Sequence, residues 1–301
     1  MNDIKKELLA IARADQILEN EMMSRHTTFK VGGPADLMVF PESEQQIAQS
    51  MHLAGEYAFP IIVIGNGSNL VVRDGGIRGL VVVLGERYAR MKAEEGIVEA
   101  CAGASLSRVA SFAQSNGLAG LEFASGIPGT LGGGCAMNAG AYGGSLSDVL
   151  IEAKVLIGDV ICTLRGGEMC FGYRTSRPLR EGGVVLSARF ALTPDSPQAI
   201  ADRMRELNAR RREKQPLNYP SAGSVFKRPE GYFAGALIEK AGLKGKSVGG
   251  AQVSSKHAGF IVNTGNATAS DILELISIVQ DEVARQFGVQ LETEVRILGE
   301  D

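Results

Sequence analysis

Residues Gly126 to Gly144 read GIPGTLGGGCAMNAGAYGG, and eight of these nineteen are glycine. Such a stretch has little with which to build a core. Glycine loses more conformational freedom on folding than any other residue, so its concentration here must serve something besides stability. What it supplies is bare backbone. Consecutive N–H groups with no Cβ in the way form anion-binding concavities and let a flat ligand lie against the main chain. The stretch is therefore read as a cradle for a phosphate-bearing nucleotide. A flexible linker is the alternative. Against it, Ile127, Pro128, Leu131, Met137, Asn138 and Tyr142 are spaced too regularly and are too apolar for a Gly/Ser tether.

With 301 residues the chain can bury a substantial core, as two domains or as one with a large elaboration. A charged fraction of 22% and a net charge of −3 are ordinary for a globular protein and carry no nucleic-acid signal. Cys101, Cys135, Cys162 and Cys170 show no CxxC or Cys/His metal spacing, which predicts free thiols, no metal site and a reducing compartment. The opening MNDIKKELLAIARADQIL has acidic residues and helical periodicity where a signal peptide would have an unbroken apolar run. No later segment is apolar enough to span a bilayer, so a cytoplasmic protein without a membrane partner is expected.

Ile4, Leu8, Ile11 and Leu18 recur at roughly helical spacing and predict an opening helix. Ser43 with Gln46 predicts a capping box for a helix to about Gly55, with Ile47, Met51 and Ala54 inward. Short strands follow over 59–64, 70–73, 80–84 and 97–102, and Ser105 caps a helix that ends at Gly117. Beyond the glycine stretch, strands are predicted over 149–157 and 159–165. A half-buried strand is predicted over 183–193, with Leu186, Ala188, Phe190 and Leu192 on one face. A helix from Pro197 carries Ile200, Met204 and Leu207 and ends in a basic run before Pro216, which reads as a domain boundary. After it come a helix over 234–241, a strand over 259–263, a long helix from Ser270 and a last strand LETEVRIL, a separate α/β substrate domain.

GNGSN at 65–69 follows a buried strand but fails the GxGxxG pattern, because Leu70 stands at its sixth position and no helix follows. GLKGKS at 242–247 lacks the first glycine of a phosphate loop, since Lys240 stands there. Two glycine loops, one of them long, suit a dinucleotide with a diphosphate and a flat ring system, such as flavin adenine dinucleotide (FAD). Arg174 in GYRTS reads as an exposed strand arginine or as a fork that grips a carboxylate or phosphate. Ser224 in SAGSVF follows a small-residue turn that would expose its hydroxyl. Glu294 shares a predicted strand face with Glu292 and Arg296, opposite Leu291, Val295 and Ile297. His257 either orients a ligand or completes a turn, and the run Arg210 to Lys214 either steers an anion or complements the helix dipole.

Taken together, TTFKVGGPAD, GNGSNL, the GIPGTLGGG cradle with MNAGAYGG, FGYRTS, AGSVFK and LETEVRILG resemble the UDP-N-acetylenolpyruvoylglucosamine reductase family over nearly the whole chain. The resemblance implies an α+β fold. A two-part FAD-binding domain of the vanillyl-alcohol-oxidase-like type covers 1–215, in lobes of 1–85 and 86–215, and a substrate domain covers 216–301. It implies reduction of UDP-N-acetylglucosamine enolpyruvate to UDP-N-acetylmuramate by NADPH through FAD, as two half-reactions in one pocket, in a monomer.

The family's catalytic residues fall on Arg174, Ser224 and Glu294. Cofactor binding falls on Gly65, Asn66, Gly67, Ser68, Asn69 and Leu70, and on Gly126, Pro128, Gly129, Thr130, Gly132, Gly133, Asn138 and Gly140. Substrate binding falls on Tyr142, Tyr173, Lys214, Gly223, Lys227, Arg228 and His257. Arg228 replaces an asparagine frequent in the family. The space between Arg174 and Pro197 is too short for the tyrosine-bearing segment of one subclass, which implies the shorter subclass. An oxidase or dehydrogenase on the same scaffold, or a nucleotide-binding sensor without catalysis, stand as alternatives.

Overall fold

A computed structural model describes residues 2–301. The chain folds as two compact units, each assembled from separated stretches. One holds the residues up to Leu18, then 37–66 and 79–211; the other holds 19–36, 67–78 and 212–301. The glycine loop 65–70 is thereby divided after Asn66.

The first unit is built on an antiparallel sheet in the order Val160–Arg165, Leu150–Ile157, Val184–Ala191, Ile97–Cys101, Met91–Glu94. Its central strand, Val184–Ala191, is buried on both faces, where alternation predicted a half-buried one. A bulge is the reason. Lys154 pairs with Ser187 but Val155 pairs with Val185, so Leu186 is an extra residue and the alternation flips across it. Val185, Ala188 and Phe190 consequently pack with Leu106, Val109, Leu131 and Cys135. Val184 and Leu186 pack on the other side with Leu37, Val39, Ile47, Leu80 and Val82. Ile61–Ile64 runs parallel to Ile77–Val83 beside them.

The capped helices form where local chemistry specifies them. Ser43 Oγ accepts from the N–H of Gln46 at 3.2 Å at the start of Glu44–Glu56, and Ser105 Oγ accepts from that of Arg108 at 3.4 Å before Leu106–Ser115. The Gln46 side chain does not return to Ser43. It accepts from the N–H of Glu42 at 2.8 Å and donates to Ile11 O at 3.1 Å, tying the end of the opening helix Asn2–Ile11. Leu18 lies outside that helix, exposed on the strand Ile17–Met22. All four cysteines are free thiols.

The second unit packs the helix Ala269–Phe287 on the strands Ser247–Val248, Ala251–Val253 and Ile261–Asn263. Ile272, Leu275, Ile276, Val279 and Val283 form the buried stripe of that helix. Thr268 and Asp271 make its capping box. Asp74 adds a second cap from the turn after Leu70–Val72: its carboxylate accepts from Ala269 N, Ser270 N and Ser270 Oγ at 2.9, 2.9 and 2.7 Å. The final strand is only Arg296–Leu298, parallel to Leu70–Val72, and Ile297 is exposed where alternation predicted it inward. Glu294 and Val295 form a bend ahead of it.

Burial acts to raise the Asp74 pKa, but the bonds from Ala269 and Ser270 outweigh it and hold the carboxyl below the usual range. Replacing Asp74 by alanine should cost about 1 kcal/mol at neutral pH, read as a lowered urea midpoint. A depressed folded-state pKa contributes stability above the unfolded value of about 3.9 and loses it as pH falls through the folded value. The gap between wild type and Asp74→Ala should therefore narrow in acid; a gap that stayed constant would remove the charge from the explanation.

Candidate active site

In the first unit the two glycine loops meet. Asn66 Nδ2 donates to Pro128 O at 3.4 Å, and a Cβ added at Gly65 would lie 2.1 Å from Thr130 Oγ1. Thr130 leads into a short helix, Leu131–Ala136, inside the glycine stretch. Three consecutive glycines there divide by role. A Cβ at Gly132 would lie 2.8 Å from Ala102 Cβ, and one at Gly134 would lie 3.0 Å from Leu106 Cδ1, so both glycines let the helix sit on the core. Gly132 N–H is also spent on Ala102 O at 2.9 Å. Gly133 is exposed, and its Cβ would meet nothing nearer than Thr130 Oγ1 at 3.7 Å. Within this triplet the open cradle face is therefore Gly133, with the Thr130 hydroxyl beside it.

The segment carrying Arg174 is fastened to this cradle. Ser176 Oγ donates to Ala136 O at 2.8 Å, and Asn138 Nδ2 donates to Gly172 O at 3.5 Å. Gly172 and Thr175 exchange backbone bonds, which puts Tyr173 and Arg174 at the tip of a tight turn and not on a strand. Arg174 takes a left-handed φ of 56°, and its guanidinium lies 5.5 Å from the Tyr173 ring centroid. Asn138 and Tyr142, also left-handed at 45° and 54°, bracket the same stretch. Left-handed side-chain residues are costly and persist where surrounding contacts hold them.

At the other end of the cradle, Gly126 faces the helix Pro197–Lys214. A Cβ there would lie 2.5 Å from Asn208 Oδ1 and 2.9 Å from Arg211 Nη1. Burial holds the Arg211 pKa below the ordinary value while the nearby Tyr142 hydroxyl opposes the shift. Lys214, the residue expected from this run, is exposed at the helix end. Arg211 and Lys214 both continue the Ile200, Met204, Leu207 spacing, and Arg211 is the one the helix half-buries.

In the second unit Ser224 and Glu294 come together through Val225. Glu294 N and Val295 N both donate to Val225 O, at 2.7 and 3.4 Å. Lys227 N donates to Glu292 O at 2.9 Å, and Lys227 Nζ pairs with the exposed Glu292 carboxylate at 2.9 Å. Glu294 thus stands in a bend, where a strand face shared with Glu292 was expected. Asn69, expected at the cofactor, donates from Nδ2 to Glu294 O at 2.9 Å. Gly223, left-handed at φ 76°, makes the turn before Ser224. Arg228 stacks over Phe233 at 4.0 Å. His257 Nδ1 accepts from Gly259 N at 3.1 Å, and burial lowers its pKa, so at neutral pH it is an uncharged group in a turn.

The sorted glycines make a prediction. Gly133→Ala should stabilise the ligand-free protein by about 0.5–1 kcal/mol, as alanine does in an open helical position, and should lower FAD retention. Gly132→Ala should destabilise the fold itself. Thermal melts with and without added FAD separate the two; equal FAD retention in wild type and Gly133→Ala would remove Gly133 from the cradle.

The family described as FAD binding domain matches residues 35–160, and that described as UDP-N-acetylenolpyruvoylglucosamine reductase, C-terminal domain, matches 215–298. A UDP-N-acetylenolpyruvoylglucosamine reductase of Clostridium tetani is 50% identical, covering 99% of this chain and 97% of its own. That of Geobacillus thermodenitrificans is 48% identical over 99% and 98%. The crystal structure of the Thermus caldophilus reductase superposes with a TM-score of 0.79 at 34% identity, covering 92% of this chain and 97% of that one. An alkyldihydroxyacetonephosphate synthase, at 18% identity and TM-score 0.52, covers 64% of this chain and 41% of its own and shares the fold alone. The fold is thus α+β, with an FAD-binding domain. The chain belongs to the UDP-N-acetylenolpyruvoylglucosamine reductase family.

Proposed function

We propose that this protein reduces UDP-N-acetylglucosamine enolpyruvate to UDP-N-acetylmuramate with NADPH, for peptidoglycan precursor synthesis. The observation that carries this reading is the joining of Ser224 and Glu294, distant in sequence, through the paired backbone of Val225, on a chain alike along its whole length to reductases of that name. FAD, when bound, would supply two-electron hydride chemistry between NADPH and the enolpyruvyl group, and the open backbone at Gly133 with the Thr130 hydroxyl would help to hold it.

Hydride addition pushes negative charge onto the neighbouring carbon and its carboxylate. Arg174 answers that charge with a planar cation, and its turn is preset by the bond from Ser176 to Ala136 and the bond from Asn138 to Gly172. Ser224 Oγ donates the proton that completes the lactyl group. Glu294 aids the step directly only in its protonated form, because an ionised carboxylate would repel the developing charge. Arg228, exposed and stacked on Phe233, is offered for the substrate diphosphate. The work of a cytoplasmic monomer on a water-soluble nucleotide sugar fits a chain in which, among the described residues, no helix is long and apolar enough to cross a membrane.

Anaerobic NADPH should bleach the yellow protein, and the enolpyruvyl nucleotide should restore the colour. Ser224→Ala should bleach normally but slow the return by about 10²–10⁴-fold, the range of general acid catalysis. Equal loss of both steps would refute the proton-donor role. Arg174→Lys should slow the return by about 10²–10³-fold, since a point charge does not replace a fork; turnover near wild type would end the carboxylate-clamp assignment.

A further inference from the structure

Asn69 closes the GNGSN loop, yet its side chain turns to the C-terminal end of the chain. Nδ2 donates to Glu294 O at 2.9 Å, and its own carbonyl accepts from Arg296 N at 2.9 Å. Only after this do Leu70–Val72 and Arg296–Leu298 pair as strands. Glu294 stands in a bend, where no ladder of strand bonds holds the backbone. Its N–H is taken by Val225 O at 2.7 Å and its C=O by the Asn69 amide. With both peptide groups held, the direction of the Glu294 Cα–Cβ bond follows. The chemistry selects asparagine. Aspartate, of the same shape, would set an acceptor against the Glu294 carbonyl, and alanine would leave that carbonyl without this donor.

We infer that Asn69 is a positioning residue for the reduction: its side-chain amide holds the backbone of Glu294 and, through the Glu294–Val225 bond, the turn that presents Ser224. This rests on the reading of Glu294 as a residue of the reductive site. Its Nδ2 is spent on the Glu294 carbonyl, so the role inferred is positioning, in place of the cofactor contact that the resemblance implied.

The test uses the FAD-loaded protein and two variants, Asn69→Asp and Asn69→Ala, alone and combined with Glu294→Gln. Both single variants should retain wild-type FAD content and bleach with NADPH at the wild-type rate. Each should lower kcat for the enolpyruvyl nucleotide by about tenfold with KM little changed, the effect of one lost hydrogen bond on a polar network. In the Glu294→Gln background Asn69→Ala should add nothing further, because the group it positions is already disabled. Lost FAD or slowed bleaching would place Asn69 at the cofactor and overturn the inference. So would a loss that multiplies with that of Glu294→Gln, or an unchanged kcat. Should the aspartate variant fold poorly, the alanine variant carries the same expectations. A wild-type protein that bleaches but never reduces the enolpyruvyl nucleotide would instead sink the reading of function, and the positioning role with it.

Discussion

Backbone against backbone, with no room for a Cβ, is the contact on which the second unit depends. A Cβ at Gly33 would lie 2.0 Å from Asp74 O, one at Gly76 2.0 Å from Pro34 O, and one at Gly67 2.1 Å from His26 O. At this separation three remote stretches join by their main chains: Met23 N to Gly33 O, Gly33 N to Arg73 O and Arg73 N to Leu298 O, at 2.9, 3.0 and 2.9 Å. The stretch 69–76 is thereby held as a rail. One end offers Asp74 to the helix Ala269–Phe287, and the other offers Asn69 to the bend at Glu294. A side chain at Gly33 or Gly76 would move the rail, and with it both a helix cap and a bend of the site.

How much of this the sequence discloses depends on the range of the forces involved. The helices after Ser43 and Ser105 were readable because a hydroxyl and an N–H three residues on define their starts. The strand Ile17–Met22 was not, since ILENEM buries one residue and exposes most of the rest, so it has no alternation to read. The bulge at Leu186 and the bend at Glu294 are set by partners distant in sequence. LETEVRIL alternates as a strand would, but bonds to Val225, Lys227 and Asn69, all distant in sequence, hold its first half outside the strand.

The site divides along the same line. Ser224 and Glu294 were singled out through their motifs, and the backbone of Glu294 bonds to Val225, next to Ser224. The roles within the glycine stretch were hidden, because a glycine admitting a ligand and a glycine admitting Ala102 or Leu106 are the same letter. Helical phase separates Arg211 from Arg210 but not from Lys214, three residues on; only the end of the helix, which leaves Lys214 exposed, tells those two apart.

Cys135 lies on the cradle helix with no exposed surface, and burial pushes its thiol up to about 12. A thiol that does not ionise near neutral pH is neither a nucleophile nor a ready target for peroxide. Free reduced flavins reduce dioxygen to peroxide. The packing that seats the cradle helix on Ala102 and Leu106 therefore also leaves its sulfur chemically silent toward the oxidants that such a cofactor can release.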